Sequence, residues 1–177
     1  MRENVLLVGR ESPFMETLST RIGANDLMVH FAESAPDALA LVQHEDIGVV
    51  VLSIKDLAEE AIQMLDSMKK RKPLVECITL TSPTTMGWSI EGMKRGVFAD
   101  FLIPFDNENL IAKIREALVK RKARKRRRKK TLRRRLEDWM VSAAFAESGS
   151  PDTAREILKE AQKEKPSQAK EQKDEKP

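Results

Sequence analysis

Ile47-Gly48-Val49-Val50-Val51-Leu52-Ser53 decides the fold. Apart from Gly48 it is apolar, and mostly β-branched, up to a terminal hydroxyl. A run of this kind suits a strand buried on both faces at the centre of a parallel sheet. Upstream, Val5-Leu6-Leu7-Val8 repeats the pattern, and downstream so does Val75 to Thr81. Helical periods lie between them. Strands are expected over 3–8, 26–31, 47–53, 75–81 and 100–103. Helices open at Ser12-Pro13 and Ser34-Ala35-Pro36, where Ser caps and Pro suits the first turn, and recur over 57–68, 85–94 and 107–118. Five strand–helix alternations predict an α/β, doubly wound, five-stranded parallel sheet of order 2-1-3-4-5. The apolar periods place Phe14, Leu18 and Ile22 in the core, then Ile62, Leu65 and Met68, and finally Leu110, Ile111, Ile114 and Leu118. On the fourth helix, Ile90 and Met93 are read as facing inward, which turns Trp88 outward as a candidate partner contact.

The 177 residues are 41% hydrophobic, enough for one ordinary domain and an appendage. The one cysteine, Cys77, lies in an apolar strand, which excludes an internal disulfide framework and fits a reducing compartment. No apolar run approaches the roughly 18 residues of a membrane span, and no signal-peptide pattern opens the chain. The expectation is a cytoplasmic protein. Charge is strongly partitioned. Of 32 Lys and Arg, 13 fall between Lys120 and Arg135; the other 19 face 28 Asp and Glu, a net of −9. An acidic globular part carries a basic rod.

Domain boundaries follow: a globular unit over 1–118, a basic helical connector over 119–135, a helical hairpin over 136–163 and a disordered tail over 164–177. The basic block has no Gly or Pro, so the fifth helix can run on through it. Leu132, Leu136, Trp139, Met140 and Ala143 then resume an apolar stripe. Ser148 to Pro151 reads as a turn and Asp152 to Ala161 as a further helix.

Val5-Leu6-Leu7-Val8 with Glu11 after it, Val49 to Ser53, Ile78-Thr79-Leu80-Thr81, Ile90 to Gly96, and Pro104-Phe105-Asp106 together carry a resemblance. Residues 3–118 resemble a bacterial response-regulator receiver domain, whose fold is flavodoxin-like. The resemblance implies a phosphoacceptor pocket at the carboxyl ends of the strands, and here that pocket is degenerate. Gly9 and Arg10 stand where the family holds Mg²⁺ with an acidic pair, and Glu11 follows them. Ser53 stands in place of the acceptor aspartate and Ile103 in place of the lysine before the proline. Thr81 is retained. Asp100 occupies the position of the aromatic residue that reports phosphorylation, and with Trp88 is a candidate interaction residue. The Ile103–Pro104 bond is expected cis, as in the family. Ser53 has no general base beside it in sequence, and Glu11 alone is a poor Mg²⁺ ligand. Arg10 is read either as a solvated loop residue or as a fixed cation bonded to Ser53 or Glu11. The resemblance therefore implies a non-enzymatic pseudo-receiver with no metal or cofactor. Residues 143–166 are similar, more weakly, to a single tetratricopeptide repeat, with a generic helical hairpin as the alternative.

The block Lys125, Arg126, Arg127, Arg128, Lys129, Lys130 has three readings: a solvated spacer, a non-specific nucleic-acid contact through phosphates, or an anionic lipid contact. The function these readings point to is regulatory protein–protein interaction in a bacterial two-component, phosphorelay-type system. Its partners are other signalling proteins or a second copy of the chain. The alternative is a polyanion-binding protein with the globular fold as scaffold.

Overall fold

The computed structural model describes residues 2–147. The elements are β1 (Glu3–Val8), α1 (Pro13–Gly23), β2 (Leu27–Ala32), α2 (Ala35–His44), β3 (Ile47–Ser53), α3 (Ile54–Arg71), β4 (Glu76–Thr81), a 3-10 turn (Pro83–Thr85), α4 (Met86–Lys94), β5 (Ala99–Leu102) and α5 (Asn107–Glu147). The five strands form one parallel sheet ordered β2-β1-β3-β4-β5, as the alternation predicts. Every residue of β3 is buried. Alternate side chains supply two cores. Val50 and Leu52 face α2 and α3, while Val49 and Val51 face α1 and α5.

Local chemistry explains the element boundaries. Ser12 and Ser34 cap α1 and α2 with their hydroxyls, accepting from the Met15 and Asp37 amides. Gly96, at φ 75°, ends the α4 turn in the left-handed region. Ser53 is both the last residue of β3 and the N-cap of α3, so that helix begins at Ile54 rather than at Leu57. Phe14, expected in the core, is 41% exposed and sets its ring edge-on to Phe105.

The α4 orientation is the main correction to the expected core. Ile90 and Met93 are exposed, at 57% and 59%, whereas Trp88 is half-buried against the α2–α3 core. Gly92 is buried on the face that α4 turns to the sheet, where a Cβ would make ordinary contacts with Val97 Cγ2 at 3.4 Å and Thr79 Cγ2 at 3.9 Å. Trp88, one turn earlier, shares that face. Both faces of α4 carry apolar residues, so periodicity alone could not separate them.

The chain divides into two compact units at Lys125. The first takes in residues 119–125, seven more than the sequence assigns to it. In the second, α5 continues to Glu147. The turn at Ser148–Pro151, the helix over 152–161, most of the repeat-like segment and the tail lie outside the described residues.

Candidate functional site

The carboxyl ends of β1, β3 and β4 bring Gly9, Ser53 and Thr81 to one edge. Gly9 donates its amide to the Ala32 carbonyl at 3.0 Å. Ser53 and Thr81 are 2% and 1% exposed. Ile103 donates to the Thr81 carbonyl at 2.7 Å, and the Ile103–Pro104 bond is cis. Arg10 and Glu11 are both exposed. Arg10 makes no ion pair or hydrogen bond with a described residue, so of its two readings the solvated one matches the structure. Glu11 lines an open groove with Met15, Glu16 and Phe31 on the α1 side.

This donor set does not fit the Mg²⁺ ion that the receiver family holds at these positions. A hard divalent cation takes several oxygen ligands, mostly from carboxylates. Gly9, Arg10, Glu11 and Ser53 offer one exposed carboxylate beside a guanidinium. Among the described residues, no group of three His, Cys, Asp or Glu side chains could hold a metal.

Asp100 is placed differently from the sequence reading, which made it a surface contact. Its carboxylate accepts from Thr79 Oγ1 at 2.5 Å, Thr81 Oγ1 at 2.9 Å and Ser89 Oγ at 2.7 Å. Thr79 pairs directly with Asp100 across the β4–β5 ladder. One carboxylate thus ties β4, β5 and α4 together and fixes the Thr81 hydroxyl. The signal for this was Thr79 and Thr81 at alternate positions of β4, both bonded to Asp100. Trp88, the other candidate contact, is half-buried. Met86, Ile90 and Met93 take the exposed face of α4, and Leu102 of β5 is 42% exposed.

At the opposite edge of the sheet, the first turns of the basic block are engaged with acids at the amino ends of the strands. Lys122 pairs with Glu3 at 2.7 Å. Arg124 reaches the buried Glu76 at 2.9 Å, with Lys69 4.0 Å away on the other side. Arg121 and Lys125 both bond to Asp46, Lys125 at 3.1 Å. Burial pushes the Asp46 carboxyl up, but hydrogen bonds and charge from Arg121 and Lys125 outweigh it and hold the pKa below its ordinary value. Lys120 stands 4.7 Å over the Phe98 ring. Lys125, read as part of a polyanion contact, is therefore engaged inside the globular unit. Arg126 to Lys130 are exposed and unpaired with any described acid.

Comparisons agree with this architecture. No protein-family model matches the chain. A receiver-domain structure from Methanospirillum hungatei superposes with a TM-score of 0.64 at 20% identity, covering 70% of this chain and 99% of its own. One from Clostridium thermocellum gives 0.63 at 23%, covering 68% and 98%. The fold is that of a response-regulator receiver domain. By sequence, the transcriptional regulatory protein GlrR of Escherichia coli is 24% identical over 115 residues, 65% of this chain. The receiver-like chain spans 26% of that relative's length. Within the described residues, no helix is long and apolar enough to cross a membrane.

Proposed function

We propose that this receiver domain is a phosphorylation-independent, non-enzymatic regulatory module of a two-component signalling system, working by protein–protein contact. The observation that carries the proposal is the composition of the carboxyl edge. A buried hydroxyl, Ser53, stands where an acceptor carboxylate would have to be, and an exposed guanidinium stands where metal-binding carboxylates would have to be. Phosphoryl transfer depends on positioning and on neutralising charge around the transferred group. A serine hydroxyl in place of a carboxylate and a single exposed glutamate supply neither. Thr81, the one retained position of the pocket, donates its hydroxyl to Asp100.

Support for the contact mode comes from α4. Met86, Ile90 and Met93 expose apolar surface along one helix face, the kind of surface that partner proteins cover. Incubation with acetyl phosphate and Mg²⁺ tests the chemical half: the intact mass is expected to stay unchanged, and a gain of one phosphoryl group overturns the reading. Pull-down with the full chain tests the contact half. Ile90→Glu is expected to lose the captured signalling partner, and an undiminished capture refutes the α4 face.

A further inference from the structure

The second half of α5 presents an apolar stripe bordered by cations. Leu132, Leu136, Trp139 and Met140 are 55%, 57%, 59% and 59% exposed. Their spacings of four, three and one, with Ala143 next, put them on one helical face about 100° wide. By the same spacing Arg128 and Arg135 run along one edge of the stripe and Arg133 along the other, while Lys129 sits at its amino-terminal end. Arg133 also bonds to Glu137 at 2.8 Å, one turn on.

We propose that residues 126–143 seat on the surface of an anionic lipid bilayer, with the stripe at the acyl boundary and the flanking cations among the headgroups. Charge complementarity selects this occupant. A second copy laid stripe to stripe would set rows of Arg and Lys against the same rows, at a cost in repulsion. A nucleic acid would satisfy the cations and leave the ring of Trp139 and three aliphatic side chains in water. An anionic bilayer meets both features at once: basic residues gain from the surface potential, and long cationic stems reach the headgroups while Leu, Met and Trp enter the boundary layer. The apolar stripe covers only about three helical turns and the rest of the segment is dense in Arg and Lys, so the helix lies on the surface rather than spanning it.

Full-length protein is mixed with vesicles of phosphatidylcholine alone, or of phosphatidylcholine and phosphatidylglycerol in equal parts, and bound protein is separated by flotation. Binding is expected to the anionic vesicles only. In a Trp88→Phe background the Trp139 emission moves to the blue on binding. Leu136→Gln, on an exposed position that leaves the fold intact by circular dichroism, weakens partition about tenfold. Anionic vesicles that fail to bind, or whose binding leaves Trp139 emission unmoved, overturn the proposal. Equal binding by Leu136→Gln reduces the segment to a charge-only polyanion contact and also overturns it. So does a dimer in sedimentation equilibrium that Leu136→Gln dissociates, because the stripe is then covered by a second copy.

Discussion

Asp100 concentrates much of the polar order at the carboxyl edge in one side chain. Two of its three donors, Thr79 and Thr81, are 0% and 1% exposed, so removing the acceptor strands hydroxyls that water does not reach. Hydrogen bonds to a charged acceptor are stronger than neutral ones, and a buried donor left alone costs the desolvation of its group. Asp100→Ala is expected to destabilise the domain by about 2–4 kcal/mol in urea unfolding. Asp100→Asn, which keeps an acceptor, should lose less. Equal stability of Asp100→Ala and the parent would mean the cluster is idle. Cys77 illustrates the opposite case: burial pushes its thiol up to about 12, so it is an inert core group. Alkylation of the native protein at pH 8 should leave it unmodified until denaturant is added.

At the scale of the element, α5 is held to the sheet by shape and by charge. Shape enters at Gly48, where a Cβ would meet Leu118 Cδ2 at 2.4 Å. Gly48→Val is expected to cost about 2–3 kcal/mol, as overpacking does, with partial recovery when Leu118→Ala is added. Charge enters through Glu76, whose side chain is 2% exposed between Arg124 and Lys69. Arg124→Ala leaves that carboxylate poorly compensated and should cost about 2–4 kcal/mol, less than a fully enclosed pair because Arg124 is itself 45% exposed. Asp46 gives the acid dependence. Its folded pKa lies below the ordinary 3.8, so its contribution is complete above that value and disappears as pH falls through the folded one. Asp46→Asn should therefore lower stability at neutral pH and flatten the acid limb of the stability curve. A parallel, merely shifted curve would show that the pair with Arg121 and Lys125 does not couple to folding.

For the whole molecule, the boundary at Lys125 has a measurable consequence. A fragment ending at Leu118 keeps the apolar face of α5 but loses Arg121, Lys122, Arg124 and Lys125. It leaves Glu3, Asp46 and Glu76 crowded at one edge of the sheet without these four partners. Residues 1–125 are expected to melt several degrees above residues 1–118, a difference of about 1–3 kcal/mol at the size of this unit. High salt should narrow the gap, since the exposed pairs are screened while Glu76 is not. Identical melting of the two fragments would return the whole basic block to the role of a solvated connector.

Sheet order and the two-faced core were legible in residues 1–118 because they rest on periodicity. A seven-residue apolar run, flanked by helical repeats and serine caps, has few other ways to bury itself. Gly9, Arg10, Ser53 and Ile103 were legible for the same reason, since a strand end is a position in a pattern. Tertiary packing decided what patterns leave degenerate. The α4 helix has two apolar faces, and only its packing against the α2–α3 core determines that Trp88 turns in while Ile90 and Met93 turn out. Asp100 could be placed on a strand from sequence, but its three hydroxyl donors come from two other elements. The basic block reads as uniform charge along the chain. It divides in space because Glu3, Asp46 and Glu76 stand at the edge of the sheet where α5 passes, and an ion pair depends on distance through space rather than separation in sequence.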